Sequence, residues 1–258
     1  MKSFSAWMLL CLLVSASLCA AAQQPMGSRR EAAEELFALA NQSRAQSGAG
    51  PLKWDRALAD AAFLHCERMV QEGEISHRYG GEPDLTARAA ASGAHFSLIE
   101  ENIALGPHAA RIHQGWLASP GHRRNLLNPE VDRVGIAVIE SRGDLYAVAD
   151  YAQAVAVLST AQVEGQIAGL IHMGGVEIRR DPHDARLACA EDRGIPGGAT
   201  GPQALFVMRW QGADLDHLPQ DLVNRLGTGR YRSAEVGACP AHSDQGGFTV
   251  YRLAVLLY

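Results

Sequence analysis

The chain has 258 residues, 47% of them hydrophobic, with 28 acidic residues against 23 basic ones. A net charge of −5 gives no electrostatic footprint for nucleic acid, so no nucleic-acid partner is expected. The length suits one large domain or two small ones.

The N-terminus reads as a secretory signal peptide of residues 1–22. Lys2 supplies the positive charge, Ala6 to Leu18 the apolar run, and Ala20 to Ala22 the small residues of a cleavage site. That run is short against the roughly 20 residues of a bilayer span. Neither Cys11 nor Cys19 follows a small residue, which speaks against a lipoprotein. Cleavage leaves no transmembrane anchor, and the expected location is secreted or periplasmic. Cys66, Cys189 and Cys239 then remain. Cys66 lies in an apolar helical pattern and reads as a small buried hydrophobe. Cys189 with Cys239 is the expected disulfide, although an odd count allows other pairings.

Helical spacing runs from Arg30 to Gln46 and breaks at Gly48-Ala-Gly-Pro51. Asp55 is a good N-cap for a helix with Leu58, Ala61, Ala62, His65, Cys66 and Met69 on one side, ending at Gly73. A short Ala-rich helix spans 84–92, with Asp84 as cap and Gly93 beyond its end. Ala109 to Ala118 forms the next, with Ile112 and Trp116 on its apolar face. Ser119-Pro120 opens another that stops at Asn128-Pro129. Val134–Ile139 and Leu145–Ala149 are β-rich runs separated by hairpin residues. Helices first and a strand pair last predict an α+β fold.

The second half, 158–258, repeats this order in weakened form. A helix from about Ala161 to Met173 precedes Ile178-Arg-Arg-Asp181, which stands where Leu52-Lys-Trp-Asp55 stood. Glu235-Val-Gly-Ala238 echoes Arg133-Val-Gly-Ile136, and a closing strand runs from Phe248 to Tyr258. Asp55 and Gly135 are 80 positions apart, Asp181 and Gly237 only 56. The positions lost fall in the middle, where the first half has His77 and Glu101. A smaller α+β half, a degenerate copy that kept its scaffold and lost its site, is the expectation.

Candidate functional residues concentrate in the first half: His77, the pair Glu100-Glu101, and His122 within Ser119-Pro-Gly-His122. Each lies beside turn residues, so loops or element ends are their expected setting. His122 would be the third residue of its helix, where the positive end of the helix dipole favours neutral imidazole. Two histidines and one carboxylate are a set able to hold zinc with a coordination position left open. The spacing alone leaves separate, solvated histidines as the alternative. Trp116 reads as a core anchor and Ser119 as a helix cap. His108 and His113 are five apart and so not on one helix face, and His95, His172, His183, His217 and His242 carry no partner by pattern.

In order along the chain come Asn41-Gln-Ser-Arg44, Pro51-Leu-Lys-Trp-Asp55, Ser76-His77, Glu101-Asn102-Ile103, Trp116 to Pro129, and Val134-Gly-Ile-Ala. The series, over 30–152, resembles the CAP superfamily of cysteine-rich secretory proteins, antigen 5 and pathogenesis-related proteins, in its short bacterial form. The resemblance implies a three-layer α-β-α sandwich with a cleft lined by two histidines and two acids. His77 and His122 match the histidines and Glu101 one acid; the second acid is replaced by Ser119, and Glu100 stands where a glycine is usual. It implies a divalent metal such as zinc on His77, Glu101 and His122, with Glu100 as partial compensation. Three functions follow as expectations: a non-enzymatic binding module for a metal or small ligand, lipid or envelope component; a metal-assisted hydrolase of envelope or extracellular polymers; and an interaction scaffold built on the second half. The first is preferred, because no nucleophile is evident.

Overall fold

The computed structural model describes residues 26–191, 193–194, 203–241 and 247–258. The expected signal peptide and His242 lie outside the described residues.

The first half runs α1 (Met26–Ser47), β1 (Lys53–Trp54), α2 (Arg56–Glu72), α3 (Leu85–Ala91), β2 (Phe96–Gly106), α4 (Ala109–Ala118), α5 (Pro120–Leu127), β3 (Arg133–Ser141) and β4 (Asp144–Ala154). The caps act where the sequence puts them. Asp55 accepts from the Leu58 N–H, Asp84 accepts from the Ala87 N–H, and Gly73 closes α2 at φ 76°. The buried face of α2 is the six residues its spacing predicts. Ser119 holds the N-cap position of α5, but its side chain makes no capping bond.

The sheet order is β1-β3-β4-β2, with β1 parallel to β3 and the other pairings antiparallel. Strand alternation sorts its side chains between two layers. Val134, Ile136, Val138, Ala147, Ala149 and Tyr151 pack with α1, α4 and α5. Ala137, Ile139, Tyr146 and Val148 pack with α2. This is the three-layer α-β-α sandwich. Gly135 sets how closely α2 lies on the sheet: a Cβ there would stand 2.0 Å from the Ala59 backbone nitrogen.

Strand β2 departs from the sequence reading, which placed Glu100 and Glu101 on loops or element ends. They occupy the middle of an 11-residue strand. The acidic pair and Asn102 interrupt the apolar pattern that marks a strand, and only tertiary partners make that polarity tolerable there.

The second half comprises α6 (Thr160–Met173), β5 (Glu177–Ile178), α7 (His183–Ala190), β6 (Phe206–Gly212), α8 (Gln220–Leu226), β7 (Ser233–Cys239) and β8 (Tyr251–Leu257). Its sheet order, β5-β7-β8-β6, repeats the first, and it forms a second α+β unit that resembles a degenerate copy. Gly237 plays the part of Gly135: a Cβ there would meet the Ala185 carbonyl carbon and Arg186 nitrogen at 2.3 Å. Cys189 and Cys239 form the expected disulfide. Cys66 is buried and donates its thiol to the Tyr146 carbonyl.

Candidate functional site

Three elements bring the site together. Among the described residues strand β2 is an edge strand, paired with β4 alone, and its outward carbonyls are met by side chains rather than by another strand. Trp116 Nε1 donates to the Ile103 carbonyl at 3.1 Å, and Asn125 Nδ2 to that of Glu101 at 3.0 Å. Asn102 Nδ2 donates in turn to the His122 carbonyl at 2.9 Å. The stretch from Trp116 to Pro129 thereby covers the exposed edge and fixes the start of α5, on which His122 is the third residue.

His77 lies on the loop between α2 and α3. The buried His65 ties that loop down, with Nδ1 2.6 Å from Glu82 Oε1 and Nε2 2.9 Å from the Ser76 carbonyl. Glu82 also accepts from the Tyr79 N–H at 3.0 Å. Burial alone raises the Glu82 carboxyl, but the bonds from His65 and Tyr79 outweigh it and leave it below its ordinary range.

His77 and His122 meet with ring centroids 6.2 Å apart. Glu101 is buried, and both its oxygens are engaged: Oε1 accepts from His77 Nδ1 at 2.7 Å and Oε2 from Arg88 Nη2 at 2.5 Å. Arg88 is itself buried on α3 and donates also to the carbonyls of His77 and Pro83, both at 3.3 Å. The hydrogen bond to Glu101 raises the His77 imidazole above its ordinary value. Burial, then the neighbouring His77, lowers that of His122.

Of the four expected site residues, three converge. Glu100 does not join them: one position along β2 reverses the face, and its carboxylate accepts from Asn128 Nδ2 at 3.1 Å. The structure adds Arg88, Asp150, His65 and Glu82. Asp150, from β4, is directly opposite Glu101 and also opposite Gly135. It is completely buried, and burial first, then the Glu101 charge, pushes its carboxyl well above the usual range. Asn102 and Asn125 were legible only as parts of longer motifs. Arg88 in an Ala-rich helix and Asp150 in a β-run give no local signal.

The second half lacks this site for a reason visible in register. Gly135, Asp150 and Glu101 form one cross-strand row; the row through Gly237 continues with Ala254 and Arg209. Contrary to the sequence reading, the strand corresponding to β2 is retained as β6, and a guanidinium stands where the carboxylate would be. Among the described residues no helix lies between α7 and β6.

Could this constellation hold a metal? Among the described residues, no group of three His, Cys, Asp or Glu side chains is arranged for one. The rings of His77 and His122 lie tilted at 55° with centroids 6.2 Å apart, and with His77 Nδ1 committed to Glu101 its Nε2 is the other ring nitrogen. Both Glu101 oxygens are already bonded, to His77 and to Arg88, which leaves the two imidazoles as the residues a cation would use.

No helix of the described residues is long and apolar enough to cross a membrane. Two proteins of Bacillus subtilis (strain 168) are similar. One, named uncharacterized membrane protein YlbC, is 35% identical over 112 residues, which are 41% of this chain and 31% of that protein. The other, uncharacterized protein YkwD, is 29% identical over 112 residues, 42% of each. The chain thus spans less than half the length of either. Among solved structures, an extracellular SCP-domain protein from Bacillus anthracis str. Ames is 28% identical with a TM-score of 0.46, covering 48% of this chain and 41% of that one. An outer surface protein from Borrelia burgdorferi is 21% identical with a TM-score of 0.46, covering 48% and 94%. The model of the cysteine-rich secretory protein family matches residues 37–151, the stretch from α1 to β4 that builds the sandwich and its cleft, and the first half of this chain is a CAP domain of that family.

Proposed function

We propose that the chain is an exported, non-enzymatic binding module whose cleft takes a divalent cation such as zinc, or a small ligand, through His77 and His122. The observation that carries this reading is the 6.2 Å approach of the two rings with the inner nitrogen of one fixed by Glu101. That bond sets the tautomer and leaves Nε2 of His77 directed away from the carboxylate. Burial, then the neighbouring His77, shifts His122 toward the neutral form, the one that coordinates or accepts a hydrogen bond. A cation held by two imidazoles retains open positions for water or for a polar group of a ligand. Export rests on the leader of residues 1–22 and places the module in the periplasm or outside the cell. The matching glycine rows support a duplication as the origin of the second half.

A hydrolytic reading needs Glu101 as a general base. Both its oxygens are already bonded, one of them to a buried guanidinium, which favours binding over turnover. Isothermal titration with zinc tests the proposal: heat that disappears in His77→Ala and in His122→Ala is expected, with affinity about 10–100-fold weaker in Glu101→Gln. Absence of heat with zinc, copper(II) and nickel(II) overturns the cation. Turnover of peptides, glycans or esters that depends on Glu101 overturns the non-enzymatic reading.

A further inference from the structure

The two halves touch where the first half is least self-supporting. Helix α3 has only seven residues, too few for appreciable stability of its own, yet it carries Arg88. The segment before β8 lies against it. Gly247 approaches so closely that a Cβ would stand 2.7 Å from the Thr86 carbonyl oxygen and 3.2 Å from the Ala90 side chain; its φ of +94° also favours glycine. Phe248 packs edge-on against Phe96 with centroids 5.5 Å apart. The Thr249 N–H donates to the Phe96 carbonyl at 2.8 Å, and its hydroxyl is 3.2 Å from His95 Nδ1. Phe96 is the first residue of β2, five positions before Glu101.

We propose that the second half, though siteless, is a positioning element of the cleft: Gly247, Phe248 and Thr249 clamp α3 and the start of β2, the two elements that carry Arg88 and Glu101. Arg88 bonds Glu101 and the His77 carbonyl at once, and Glu101 bonds the His77 ring. A shift of α3 therefore reaches His77 through two short, directional contacts. The inference rests on the cleft's geometry and not on what the cleft binds, so its test uses the metal-free full chain.

The test compares Gly247→Val, whose side chain would strike the Thr86 carbonyl, with Phe248→Ala, which removes the ring contact without a clash. Hydrogen exchange is read along the chain, and proton NMR follows the His77 Hδ1 resonance that reports the bond to Glu101. We expect amides bonded within α3, such as those of Arg88 and Ser92, to exchange about tenfold faster in Gly247→Val and less so in Phe248→Ala, while α4 and β3 keep their protection. The His77 Hδ1 signal should broaden or disappear in step. Unchanged α3 exchange and an unchanged His77 signal in Phe248→Ala overturn the proposal, whether or not Gly247→Val folds. So does a uniform rise in exchange across α1, α3 and α4, which would report only a loss of global stability.

Discussion

Glu101 and Asp150 face each other across β2 and β4, on the side of the sheet that α2 covers. Among the described residues no N–H or hydroxyl reaches either Asp150 oxygen, and burial, then the Glu101 charge, pushes its carboxyl well above its ordinary range. Arg88 pairs with Glu101, which in turn bonds His77.

The state of Asp150 fixes the sign of a pH dependence. Its folded-state value is raised above the unfolded 3.8, so between the two the folded protein binds the extra proton. Stability is lost as pH rises through that window and levels off above it. Asp150→Asn, which donates without a charge, should be at least as stable as the natural chain at pH 7, with the difference closing toward pH 4. Each unit of displacement is worth about 1.4 kcal/mol. Urea unfolding at several pH values decides it, and a variant clearly weaker at pH 7 would refute the protonated assignment.

Arg88 should be far less replaceable. Removing one member of a buried ion pair leaves the other uncompensated, at a cost of about 3–5 kcal/mol. Arg88→Ala should lose stability on that scale in chemical denaturation. Replacing Glu101 by Gln in the same chain should recover part of the loss, because no isolated carboxylate then remains.

The bond to Glu101 raises His77 above 6.5. A raised histidine stabilises the fold below its unfolded value and loses that contribution as pH climbs through the folded one. His77 is more than half exposed, so the effect on stability should be small; the titration itself is the better measurement. NMR should place the His77 midpoint above that of His122, which burial lowers, and Glu101→Gln should bring the two closer. Zinc binding should weaken as pH falls through the His77 midpoint, since protons compete for Nε2.

Gly135 and Gly237 predict matched defects. An alanine at either would place Cβ within 2.3 Å of helix backbone, which no rotamer change relieves. Each substitution should cost about 1–3 kcal/mol or more. Gly135→Ala should be read in thermal unfolding of the first half, and Gly237→Ala in that of the second.

Much of the scaffold was legible because its signals are local. Asp55, Gly73, Asp84, Gly93 and Pro120 bound helices by what their own backbones or side chains do, and they lie where caps and starts were expected. Strand β2 was not legible. Its centre is Glu100-Glu101-Asn102, and such polarity reads as loop unless the partners of each group are known. The same holds at Asp150, which looks like the end of a strand and lies inside one that continues to Ala154.

By itself the sequence determined the order of helices and the family resemblance, and it named Cys189 with Cys239 as the expected disulfide and His77, Glu101 and His122 as candidates. It did so because capping, periodicity and motif spacing act over a few residues at a time. Only the tertiary structure decided that Glu100 turns away, that Arg88 and Asp150 flank Glu101, and that Gly247 to Thr249 brace the helix behind them. Those relations join residues distant along the chain, and they exist only once β2, β4, α3 and the strand leading into β8 have packed.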